Sequence, residues 1–87
     1  MRYEVRLRPA AQRELDAVLG RDYQRVAKAI SNLQENPRLP SSKKLANSSL
    51  WRIRVGQYRI VCAIDDQAQL VTIVRIARRS EDTYKGL

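Results

Sequence analysis

Residues 50–77, LWRIRVGQYRIVCAIDDQAQLVTIVRIA, constrain the fold most, because apolar and polar residues alternate there with the period of a β-strand. Trp51, Ile53 and Val55 share one side, and Arg52 and Arg54 share the other. Gly56-Gln57 has the form of a two-residue type II′ turn, with Gly first. That turn predicts Val55 opposite Tyr58 and Arg54 opposite Arg59, with Tyr58, Ile60, Cys62 and Ile64 on the apolar side. Asp65-Asp66-Gln67-Ala68 is a second turn cluster. A third strand follows over residues 70–77. Placing Leu70, Thr72, Val74 and Ile76 on the apolar side sets Arg75 opposite Arg59.

The polar side of this meander then carries Arg52, Arg54, Arg59 and Arg75, with Arg79 just past its edge. Like charges directly opposed in a sheet are destabilising. A solvated face is one reading. Such a face usually mixes signs, however, and the only acids between Leu50 and Arg79 are the two at the turn. A polyanion is the natural neutralising partner, and phosphate suits the planar guanidinium fork best.

The 87 residues suffice for one domain with one modest core, and the expectation is a single domain over residues 1–87. The formal charge is +8. A small basic domain of this kind meets nucleic acid, an acidic membrane surface or an acidic protein partner. No apolar run approaches the roughly 20 residues of a membrane span, and the start of the chain is polar, so a cytoplasmic location is expected. Cys62 falls on the inward side of its strand and reads as a small core residue.

With no His and one Cys, Ser-His and Cys-His catalysis and the usual zinc sites are excluded. The three Gly form no phosphate loop. No cofactor and no metal are expected. Catalysis, if any, falls to Arg, Lys, Tyr or a lone carboxylate.

Upstream, Tyr3, Val5 and Leu7 alternate as a short strand, and Pro9 suits the first position of a helix that Arg8 caps poorly. Ala11, Leu15, Val18 and Leu19 form a helical stripe, and Gly20 is the expected stop. Asp22 is the expected cap of a second helix with the stripe Tyr23, Val26, Ala27, Ile30, Leu33 and Gln34. Asn36-Pro37 ends it, and residues 38–49, containing Lys43 and Lys44, read as a loop. The predicted class is α+β, ordered β-α-α-β-β-β with a short C-terminal tail, the helical hairpin packed on one face of an antiparallel sheet and the arginine face open. Trp51 is expected in the core between sheet and helices.

This order, with Leu50-Trp-Arg-Ile-Arg-Val-Gly-Gln-Tyr-Arg-Ile60, Val74-Arg-Ile-Ala-Arg-Arg79, Asp82-Thr-Tyr84 and the Lys44-Leu45 pair, resembles the RelE/ParE superfamily of bacterial toxins, and most closely its RelE-like branch. The resemblance covers nearly the whole chain. It implies a toxin of a type II toxin–antitoxin system that enters the 70S ribosomal A site and cuts messenger RNA without a metal. It also implies an acidic, RelB-like antitoxin as partner. Carried over by position, Arg59 and Arg79 match the phosphate-binding arginines of the family, and Tyr84 matches the tyrosine assigned to the 2′-OH proton. Arg52 and Arg54 stand where the best-known relatives have lysines, and Arg78 where many have His or Lys. Arg52, Arg54, Arg75, Arg78, Lys43 and Lys44 are the remaining candidates for RNA contact. Arg keeps its proton at ordinary pH, which leaves Tyr84 as the reasonable base. Two other readings stay open on the same fold: a ParE-like toxin that inhibits DNA gyrase by binding, and a plain basic RNA-binding domain.

Overall fold

A computed structural model describes residues 2–78. Its elements are β1 (Glu4–Leu7), α1 (Pro9–Asp16), α2 (Gly20–Asn32), β2 (Ser42–Lys44), β3 (Leu50–Val55), β4 (Tyr58–Asp65) and β5 (Leu70–Arg78). They form one sheet in the order β1-β5-β4-β3-β2. β1 runs parallel to β5, and the other pairings are antiparallel. The α+β class and the helical hairpin over the sheet are as the sequence predicts.

The first hairpin keeps its predicted register, with Val55 opposite Tyr58 and Arg54 opposite Arg59. Gly56 takes φ +57, the left-handed value a two-residue hairpin requires at its first position.

The second hairpin departs from expectation. Cys62 pairs with Ile73 and Val61 with Arg75, so Val74 is an extra residue in β5, a β-bulge. Two expectations are corrected by it. Arg75 lies opposite Val61, and Ala77 stands opposite Arg59. On the near side of the bulge the core residues are Val71 and Ile73, while Thr72 and Val74 are only half-buried; beyond it, Ile76 is core as expected. One inserted residue reverses the side-chain phase of everything before it, because that period is two.

The core joins Ala11, Leu15, Val18, Val26, Ile30 and Leu33 from the helical layer to Ile53, Ile60, Cys62, Val71, Ile73 and Ile76 from the sheet. Burial pushes the Cys62 thiol up to about 11, so it stays a protonated, unreactive core group. Tyr3, just before β1, and Val5 and Leu7 within it pack on this core, as their alternation predicts.

The helix junction is corrected. α1 ends at Asp16, and Leu19 is extended and 80% exposed instead of belonging to the buried stripe. Gly20, at φ +61, opens α2 instead of closing α1. Reversing the chain between buried Val18 and buried Val26 needs a left-handed residue there, which glycine supplies at little cost. Asp22 sits in the first turn and does not cap the helix, since the cap position falls to Leu19.

Residues 38–49 are not all loop. Ser42–Lys44 pairs with β3, and Leu45 N–H closes a turn on the Leu50 carbonyl at 2.9 Å. A three-residue strand Ser-Lys-Lys carries no alternating pattern to reveal it. Its lysines also suit a sheet edge, where charge deters pairing with other chains.

Trp51 lies on the helix-facing side but is half-buried, packed at the margin of the core. α1 packs chiefly on β5, so the outer strands have thinner cover. The Arg38 guanidinium completes it, 5.0 Å from the Trp51 ring centroid.

Arg38 is held by Asp66, its Nη1 and Nη2 donating to Oδ1 and Oδ2 at 3.1 and 3.0 Å. Tyr3 donates its hydroxyl to the same Oδ1 at 2.8 Å. The β4–β5 turn is thereby tied to both β1 and the segment after α2. The hydrogen bonds from Arg38 and then Tyr3 hold the Asp66 carboxyl below its ordinary range. A depressed carboxyl contributes stability above the unfolded value of about 4, and that contribution is lost as pH falls through the lower folded value. Acid titration followed by circular dichroism should therefore destabilise the wild type below about pH 4 more steeply than Asp66→Asn. Parallel curves would remove this cluster from the acid response.

Candidate nucleic-acid interface

Opposed residues in a sheet share a face, so the register sorts the basic side chains. Lys43, Arg52, Val61 and Arg75 lie in one row across β2, β3, β4 and β5. Arg54, Arg59 and Ala77 form the next row. This face points away from the helical layer, which covers Ile53, Ile60 and Cys62. It brings Lys43, Arg52, Arg54, Arg59 and Arg75 together, as five of the sequence candidates require. Two others fall out of phase: Lys44 opposes Trp51 and Arg78 opposes Tyr58, which puts both in phase with the helix side. Arg79 and Tyr84 lie outside the described residues.

Arg54 is exposed, whereas Arg52 and Arg59 are half-buried. Rigid strand backbone holds all three. A groove of about 270 Å³ runs along the outer edge, lined by Pro40, Ser41, Ser42, Lys43, Arg52 and Arg54. It brings three cations, Lys43, Arg52 and Arg54, to one rim, a donor set suited to phosphate oxygens. The β2 pairing, which sets Lys43 opposite Arg52, carried no sequence signal.

Arg75 departs from the group. Its Nε donates to Glu14 Oε2 of α1 at 3.1 Å, and Glu14 Oε1 accepts the Ile76 N–H at 2.9 Å. Glu14 also lines a hollow of about 210 Å³ with Val18, Tyr58, Ile76 and Arg78. The sequence did carry a signal for it: Glu14 occupies the i+3 place in the stripe Ala11, Leu15, Val18, and an acid there needs a partner.

Among the described residues, no cluster of His, Cys, Asp and Glu could hold a metal ion, and no helix is long and apolar enough to cross a membrane.

Residues 5–83 match the family described as ParE toxin of the type II toxin–antitoxin system. The chain belongs to this family of toxins, within the RelE/ParE superfamily. The toxin is 28% identical over 87 residues to an Escherichia coli protein named for its likeness to RelE toxins, covering 97% of this chain and 92% of that one. Its fold matches the toxin–antitoxin complex RelBE2 of Mycobacterium tuberculosis with TM-score 0.80 and 29% identity, over 91% of this toxin and 100% of that chain. It matches the archaeal RelE–RelB complex of Pyrococcus horikoshii with TM-score 0.80 and 22% identity, over 93% and 99% of the respective chains. At that identity the second likeness is one of fold.

Proposed function

We propose that the toxin is a ribosome-dependent endoribonuclease that cuts messenger RNA in the A site. The observation that supports this reading is the alignment of Lys43, Arg52, Arg54 and Arg59 on one sheet face, around a centre at Val61 and Ala77 that is itself buried. In the proposed reaction a ribose 2′-OH attacks its own 3′ phosphate. The new O2′–P bond forms as the P–O5′ bond breaks, leaving a 2′,3′-cyclic phosphate and a free 5′-OH. Negative charge grows on the nonbridging oxygens, where fixed guanidinium groups stabilise it. Arg59 and Arg79 are assigned to that charge, Tyr84 to the 2′-OH proton, and Arg52, Arg54 and Lys43 to the flanking backbone. No step in this scheme calls for a metal or cofactor.

Single-turnover reaction with ribosomes programmed with a defined message tests the reading. The expected result is a cut within the A-site codon, with a cyclic phosphate at the upstream end. The family match, described in terms of ParE, favours a second reading, inhibition of DNA gyrase by binding. Uncut message together with loss of gyrase supercoiling would establish the second over the first.

The partner we propose is an acidic, RelB-like antitoxin, in keeping with the RelE–RelB complexes among the structural relatives. A +8 toxin should attract it by long-range steering. Association measured by stopped flow should slow steeply between low and high salt. A rate indifferent to salt would rule out charge as the basis of recognition.

A further inference from the structure

The edge of β5 changes hands half-way along. β1 ends at Leu7, opposite Ile73, and Arg8 N–H makes the last bond of that ladder to the Ile73 carbonyl at 3.0 Å. The chain then turns into α1. Beyond this point, on the β1 side of β5, Glu14 takes the position a strand would hold. One carboxylate oxygen receives the Ile76 amide, and the other receives the Arg75 guanidinium. The bulge at Val74 makes this possible, because it re-aims the two residues that follow it. The Arg75 and Glu14 side chains are only 31% and 27% exposed, so water screens their pairing incompletely.

We propose that Glu14 sets the boundary of the basic face: by holding Arg75 at the edge of β5 it withholds that cation from a bound polyanion. Phosphate then meets Lys43 and Arg52, although Arg75 stands in the same row as both. An incoming phosphate that competed for Arg75 would bring its own negative charge against the Glu14 carboxylate and leave that carboxylate short of a partner. Glu14 is a positioning residue in this scheme and touches no substrate. The inference rests on the reading that the face binds a nucleic-acid backbone.

The test uses the purified toxin and a short fluorescent single-stranded DNA, which lacks the attacking 2′-OH. Each cation engaged on a single strand contributes about 0.7 to the slope of log K against log salt. Glu14→Gln keeps an acceptor for the Ile76 amide and removes the charge that holds Arg75. It should bind more tightly, with a slope steeper by about 0.7. Arg75→Gln alone should leave the wild-type slope unchanged, and adding it to Glu14→Gln should restore that slope. Asp16→Asn removes the same charge from the exposed end of α1 and should leave the slope as it is.

Arg52→Gln separates the two ideas. If it lowers the slope while Glu14→Gln leaves affinity and slope unchanged, the face binds backbone but Glu14 does not bound it. If Arg52→Gln leaves the slope unchanged, the basic face itself is misread and both ideas fall. An Arg75→Gln slope reduced as much as that of Arg52→Gln overturns the proposal directly. That arm stands even if Glu14→Gln melts early.

Discussion

Tyr84→Phe is expected to cut programmed ribosomes about 10²–10⁴-fold more slowly than wild type, the range typical of a lost general base. The substitution keeps the aromatic ring and removes only the hydroxyl. A tyrosine has an ordinary pKa near 10, and an attacking 2′-OH needs a base that is ionised part of the time. A face that aligns Lys43, Arg52, Arg54 and Arg59 favours the phenolate of any tyrosine brought against it. None of those cations can accept a proton at neutral pH. Ribosome and antitoxin affinities and the melting temperature of the Phe variant should match wild type, since only the hydroxyl is gone. A wild-type cleavage rate would leave the arginines as the whole of the chemistry and remove Tyr84 from it.

Arg59→Ala should lower the same single-turnover rate by about 10²–10³-fold, the usual loss when one preorganised donor to a developing oxyanion is removed. In the proposed reaction this role falls to a residue on rigid structure. It sits on β4 in the middle of the sheet, half-buried, between Arg54 and Ala77. Strand backbone on both sides fixes its Cα, which limits how far its guanidinium can stray. Arg59→Lys keeps the charge and loses the fork, and its rate should fall between the other two. Thermal melting of Arg59→Ala, run beside the rate measurement, separates slow cutting from unfolding. An Arg59→Ala toxin that cut as fast as wild type would place the phosphate elsewhere.

The basic face itself was legible in the sequence, because alternation and a Gly-first turn fix both phase and register of β3 against β4. Arg52, Arg54 and Arg59 follow from those two facts alone. The family resemblance was legible for the same reason, since its sharpest motif is that hairpin. Lys43 joined the face through a β2 strand too short to show a period. Alternation alone puts Arg75 on the correct face but opposite Arg59, and the place of Glu14 in its stripe shows that it needs a partner without showing which. The contact spans 61 positions in the chain, and local pattern carries no information at that range.

Sequence by itself determined the α+β class, the helical hairpin, the excess of positive charge and the β-hairpin that displays it. These rest on local periodicity, turn chemistry and composition. Tertiary structure decided what local pattern leaves free: the bulge at Val74, the exposure of Leu19, the edge strand β2 and the capture of Arg75 by Glu14. A bulge forms where two strands must satisfy one helix layer and each other together. Here β5 switches phase between Ile73 and Ile76 so that both stay in the core, while the end of β1 leaves the Ile76 amide to be satisfied by a side chain.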